Sequence, residues 1–185
     1  MGICTSKPTS TSSNQINLAS PNIKPLSLNG ETCIAFITNV YDGDTCTANI
    51  QSKCGVYQWK VRMNGYDTPE LKSNFESEYK VHAKACSNIL RNLILNRTVI
   101  LQCYSYDKWG RVLADVYISN YPPSILDFQT HPDKYINVNK WMLANTPATP
   151  YVGKTKVKFI FNKKFADEYM KEVRKIVADE RAKLY

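Results

Sequence analysis

Three short stretches carry the residues able to do chemistry. They are Asp42-Gly43-Asp44-Thr45, Asp67-Thr68-Pro69-Glu70 and Asp107-Lys108-Trp109-Gly110-Arg111, with Arg62 just ahead of the second. Taken alone, Asp-Gly-Asp is an ordinary hairpin turn, because Gly accepts positive φ and Asp hydrogen-bonds its own backbone. Two carboxylates that close also repel, and only a cation or hydrogen-bond donors offset that cost. The other two stretches change the reading. Hydrolysis of a phosphodiester needs a hard cation to polarise the phosphate, and carboxylate and carbonyl oxygens suit Ca²⁺. It needs a base to deprotonate water, a task Glu performs. It also needs fixed donors for the charge that grows on the equatorial oxygens, and Arg forks supply them. Asp44 and Asp67 are therefore candidate metal ligands, with the Thr68 carbonyl a third. Asp42 adds negative field beside them, Glu70 is the candidate base, and Arg62 and Arg111 are candidate phosphate donors. Pro69, with its fixed φ, stiffens the turn that presents Glu70. On this reading, removing Glu70 or Arg62 costs turnover and leaves the fold intact.

Five strands are needed to position these groups. CIAFITNVY, TCTANI and VYQWKVRMNGY are rich in β-branched and aromatic residues and read as strands, with turns at Asp42-Gly43 and Lys53-Cys54-Gly55. In SNFESEYKVHAKACSNILRNLIL, Tyr79, Ala83, Cys86, Leu90 and Leu93 recur at helical spacing, with Ser73 and Glu76 as a capping pair. TVILQCY and RVLADVYI predict two more strands about a turn at Asp107–Gly110. Residues 120–135 read as a loop, and a short helix is expected near Val138–Ala144. Three strands, a helix, two strands and then helices is the order of an α+β OB-fold, a five-stranded barrel with a helix after the third strand. The domain is expected over 31–155. A basic amphipathic helix follows over 156–185, with Phe165, Tyr169, Met170, Val173, Ile176 and Val177 on one stripe.

The 185 residues carry 24 Lys and Arg against 16 Asp and Glu, a net charge of +8 that favours a polyanionic partner. Lys154, Lys156 and Lys158 alternate after the short helix, on a phosphate groove or an exposed strand. The six cysteines form no CxxC pair and have no histidine at metal-site spacing, which argues against zinc. Cys33, Cys46, Cys86 and Cys103 lie in apolar stretches and read as buried free thiols. Nothing places His82 or His131 beside the acids. No apolar run follows Met1 as a secretory signal requires, and none has the length of a transmembrane helix. Residues 1–30, rich in Ser, Thr, Asn and Pro, read as a disordered arm. It opens MGICTSK, where Gly2 and Ser6 fit the N-myristoylation pattern and Cys4 is placed for palmitoylation. Two acyl chains make a stable anchor, so the expected location is the cytoplasmic face of a membrane.

DGDT, then Arg62 ahead of DTPE, then DKWGR, in that order within an OB-like pattern, resemble the staphylococcal nuclease (thermonuclease) family over about residues 33–155. The resemblance implies a Ca²⁺-dependent phosphodiesterase that cuts DNA and RNA and leaves 3′-phosphate ends. It puts the metal carboxylates at Asp44 and Asp67, the base at Glu70 and the phosphate-binding arginines at Arg62 and Arg111, with one Ca²⁺ per domain. A monomer is expected. Trp109 stands where the family's turn usually has Tyr. An aromatic there still stacks on a base, so Lys108, Trp109 and Tyr151 are candidate substrate contacts. The stretch MNGY at 63–66 is more polar than in the bacterial enzyme, and its Asn64-Gly65 suggests a bend. Residues 120–135 look like an insertion over the barrel's edge or the rim of the site. The best-known bacterial member is secreted, whereas this chain has an acylation-like start. The alternative is a membrane-tethered OB module that binds nucleic acid without cutting it. Such a binder gains nothing from several carboxylates in a phosphate groove.

Overall fold

Alternating burial along several of the strands shows how the barrel forms. In the computed structural model, which describes residues 26–53, 55–70, 77–153 and residue 168, the chain opens with β1 (Thr32–Val40), β2 (Thr45–Ser52) and β3 (Gly55–Met63). Cys46, Ala48 and Ile50 of β2 point inward while the residues between them do not, the period-2 pattern of a half-buried strand. The three strands form an antiparallel meander. After Met63 the chain turns through Asn64 and Gly65, and Gly65 adopts φ 84°. Only Gly takes that conformation freely. The short β4 (Tyr66–Asp67) follows, and then α1 (Ser77–Ile94).

Helix α1 buries Ala83, Cys86, Leu90 and Ile94 against the barrel. The buried stripe ends on Ile94, whereas Leu93, the expected position, is half-buried at its edge. β5 (Thr98–Tyr106) pairs antiparallel with β1, and β6 (Val112–Ile118) pairs antiparallel with β5. β6 also pairs in parallel with β3, Val61 opposite Val112 and Met63 opposite Ala114. That seam closes a five-stranded mixed barrel, which removes sheet edges. The α+β OB-fold expected from the element order is the fold observed. Cys33, Cys46, Cys86 and Cys103 are buried free thiols, as their apolar settings suggested.

Residues 120–135 are not a plain loop. They hold α2 (Ile125–Thr130), capped by the Ser124 hydroxyl, and a 3-10 turn over Pro132–Lys134. Phe128 and Tyr135 pack with Ile100 and Tyr117. The Phe128 ring lies 4.7 Å from that of Tyr117 and 5.2 Å from that of Tyr135, centre to centre. The segment covers the outer face of the sheet and makes a second small core there. β7 (Ile136–Asn137) then adds to β6, α3 (Val138–Asn145) packs against it, and β8 (Thr149–Pro150) pairs with β4.

The boundary expected at residue 30 lies too late. Leu28 is 2% exposed in the main core, and the Gly30 N–H donates to the Cys103 carbonyl at 2.9 Å. A buried leucine and a paired backbone tie this stretch to the barrel. Gly2 and Cys4, the Ser73 and Glu76 pair, Lys154, Lys156, Lys158 and, apart from Glu168, the 156–185 helix lie outside the described residues. Among the described residues, no helix is long and apolar enough to cross a membrane.

Candidate active site

Asp44, from the turn before β2, and Asp67, from β4, meet at Arg62. Register places Arg62 of β3 opposite Thr45 of β2, so its side chain starts beside the acid turn. Arg62 is 5% exposed. Its Nη1 donates to the carbonyls of Met63 and Tyr66, both at 2.8 Å. Its Nη2 lies 2.8 Å from Asp67 Oδ1 and 3.3 Å from Asp44 Oδ2. One guanidinium thus bridges two buried carboxylates.

Hydrogen bonds fix both acids. Asp44 Oδ2 accepts from the Thr68 N–H at 3.1 Å and from Thr68 Oγ1 at 3.2 Å. The Asp44 N–H donates to Asp42 Oδ1 at 3.1 Å, the local turn bond expected of Asp-Gly-Asp. Thr45 Oγ1 donates to Asp44 Oδ1 at 2.9 Å and accepts from Arg111 Nη1 at 3.1 Å. Arg111 thereby joins the cluster through one hydroxyl. The β3–β6 seam brings it there, since β6 starts at the next residue.

Asp107 aims Arg111. Its Oδ2 accepts from Arg111 Nε at 2.6 Å, and its Oδ1 accepts from the backbone N–H groups of Trp109 and Arg111, each at 2.9 Å. Burial alone would raise this carboxyl, but the bonds from Arg111 and Trp109 outweigh it and hold the pKa below its ordinary value. A depressed carboxyl stabilises the fold above the unfolded pKa of about 3.9, and that contribution is lost as pH falls through the folded value. Asp107→Asn is expected to cost about 1 kcal/mol at pH 7. The difference from wild type should narrow as pH falls below the unfolded value of about 3.9. Urea unfolding across that pH range checks both points.

The remaining candidates sit around this cluster. The Trp109 ring is 66% exposed, with Lys108 Nζ 4.3 Å and Arg111 Cζ 5.0 Å from its centre. Tyr151 is brought in by its N–H bond to the Gly65 carbonyl, and its ring centre lies 5.7 Å from Arg62 Cζ. Glu70 is exposed just beyond buried Pro69. Its place in the chain is two residues from Thr68, whose N–H holds Asp44. His82 is fully buried in α1, and His131 lies beside Asp127 in the α2 layer.

A family model described as "Staphylococcal nuclease homologue" matches residues 60–182 of this chain. The chain belongs to the staphylococcal nuclease family. The match takes in Arg62, Asp67, Glu70 and Arg111 and begins after the Asp42–Thr45 turn. A probable endonuclease of Coccidioides posadasii is 28% identical over 156 residues, 75% of this chain and 47% of the relative. One of Paracoccidioides lutzii is 32% identical over 99 residues, 54% of this chain and 26% of the relative. A probable staphylococcal-like nuclease of Oryza sativa subsp. japonica is 33% identical over 63 residues, 34% of this chain and 15% of the relative. The chain therefore spans at most about half the length of these relatives.

The staphylococcal nuclease family is generally calcium-dependent, and the donor set in this member fits such an ion. Asp44, Asp67 and the Thr68 carbonyl offer only oxygen, the donor type Ca²⁺ takes. Burial first, and then the charge of Asp44, push the Asp42 carboxyl up to about 6. A divalent cation bound beside the turn would favour the charged form of this carboxyl. Among the described residues, no three acidic, histidine or cysteine side chains gather at metal-binding spacing.

Three participants were not picked out as site residues from the sequence. Thr45 and Asp107 stand inside the quoted motifs, and an acid four residues before an arginine across a glycine turn was a usable sign for Asp107. Tyr66 bonds a carbonyl 23 residues away and leaves no local mark.

Proposed function

We propose that this member of the staphylococcal nuclease family is a Ca²⁺-dependent phosphodiesterase that hydrolyses DNA and RNA. The convergence of Arg62 on Asp44 and Asp67, with Arg111 joined through Thr45, is the observation that carries this reading. Asp44, Asp67 and the Thr68 carbonyl would hold the ion, which when bound polarises the phosphate and neutralises part of its charge. Glu70 takes the proton of the attacking water. Arg62 and Arg111 donate to the equatorial oxygens as charge builds in the phosphorane-like transition state. Asp107 orients the Arg111 guanidinium before substrate arrives, whereas Arg62 would exchange its contacts with Asp44 and Asp67 for the phosphate. Lys108 and Trp109 offer the strand a cation and a stacking face. The family resemblance gives 3′-phosphate ends as the products.

Digestion of single-stranded DNA and RNA with Ca²⁺, and with chelator, tests the proposal. Cleavage that chelator abolishes supports it. Intact substrate, with salt-sensitive binding indifferent to chelator, would favour the non-cutting OB module instead. Glu70→Gln is expected to lower turnover by about 10²–10³ without changing thermal stability.

The location is a separate proposal, resting on Gly2, Ser6 and Cys4. Acylation at Gly2 and Cys4 would hold the domain at the cytoplasmic face of a membrane. Gly2→Ala is expected to move the protein into the soluble fraction of expressing cells, and undiminished membrane recovery would remove the acylation reading.

A further inference from the structure

We propose that Tyr66 is a positioning residue whose buried hydroxyl sets the acid turn for metal binding. This rests on the Ca²⁺-dependent reading above. Tyr66 is 1% exposed, and its hydroxyl donates to the Gly43 carbonyl at 2.9 Å. Gly43 is the residue between Asp42 and Asp44. The Tyr66 carbonyl accepts from Arg62 Nη1 at 2.8 Å, and the next residue is Asp67. One residue thus ties the acid turn through its side chain, the arginine through its carbonyl, and the second acid through its peptide bond.

The far side of the turn is walled off. A Cβ built on Gly43 would lie 2.6 Å from the Cys86 Cβ and 2.8 Å from Thr68 Oγ1. The turn is therefore backed by α1 and Thr68 and drawn toward β4 by the tyrosine. Asp42 and Asp44 repel each other, and a turn freed of that bond relaxes to separate them. A hydrogen bond to the carbonyl between them opposes this relaxation. Phenylalanine fills the same space but leaves the buried Gly43 carbonyl without this donor.

The test is calorimetric titration of Ca²⁺, without nucleic acid, into wild type, Tyr66→Phe and Tyr135→Phe. Tyr135 is the control because its hydroxyl bonds Asp127 in the α2 layer. Tyr66→Phe is expected to raise the Ca²⁺ dissociation constant by about 10- to 100-fold, the usual effect of losing a group that orients a ligand. Its far-ultraviolet circular dichroism should match wild type, and hydrolysis lost at low Ca²⁺ should return as Ca²⁺ is raised. Tyr135→Phe should bind Ca²⁺ as wild type does. Unchanged affinity in Tyr66→Phe overturns the inference. So does activity that high Ca²⁺ fails to restore, which would mark Tyr66 as a general structural strut. Wild type that takes up no Ca²⁺ overturns the metal-dependent reading itself, and this inference with it.

Discussion

Arg62→Ala is expected to destabilise the metal-free protein by about 3–5 kcal/mol as well as to lower turnover by about 10²–10³ or more. The first effect comes from burial. Arg62 is the donor that Asp44 and Asp67 share, and both carboxylates are buried. Removing it leaves two like charges facing each other, with the carbonyls of Met63 and Tyr66 deprived of a donor. Breaking a buried pair in this way costs more than the pair is worth, because the survivors stay out of water. Lysine is a poor substitute, since a single ammonium cannot span two carbonyls and two carboxylates with a fork's geometry. Ca²⁺ should return part of the lost stability, because a ligand that binds only the folded state shifts the equilibrium toward it. Urea unfolding with and without Ca²⁺ measures this. A midpoint equal to wild type in the metal-free protein would reduce Arg62 to a catalytic group alone. That was the expectation from residue type, and the burial of the guanidinium revises it.

The second large effect is expected far from any charge transfer. Asn139→Ala should cost about 3 kcal/mol and lower the melting temperature by roughly 10 °C, read by calorimetry. Asn139 is 5% exposed on α3. Its Oδ1 accepts from the Val116 N–H, and its Nδ2 donates to the carbonyls of Asn64 and Ala114, each at 2.9 Å. Ala114 keeps a second donor, the Asn64 N–H at 2.9 Å. The Val116 N–H and the Asn64 carbonyl lose the partner that Asn139 supplies. Asn139→Asp should be no better, since its carboxylate would donate to neither carbonyl and would lie beside Asp115. A loss below about 1 kcal/mol would mean that water replaces the amide at little cost.

These two residues show what can be seen along a chain and what cannot. Asp44, Asp67, Arg62 and Arg111 stood out because charged groups near predicted turns are costly unless they do something together. The strands stood out because they are rich in β-branched and aromatic residues, and in β6 every second residue from Val112 is buried. Asn139 offered nothing of the kind. An asparagine inside a short helix looks like any surface position until the chain returns to place Asn64, 75 residues earlier, beneath it. Helix α2 was hidden by its surroundings, since six residues beyond a Tyr-Pro-Pro-Ser stretch are too few for a period to emerge. Its capping bond from Ser124 was the available sign. Arg62 was recognised by type, but its depth in the protein was not, because burial depends on the barrel wrapped around it.

The parallel seam between β3 and β6 also bears on timing. Val61 and Val112 are neighbours there although they lie far apart in the chain, and contacts over long separations form late because loop closure costs entropy before it is rewarded. Arg111 meets Thr45 and the Asp44 turn only once that seam has closed. A polypeptide halted before β6 would therefore carry Arg62, Asp44 and Asp67 without Arg111 joined to them. The proposed hydrolysis would then await the closing of the barrel.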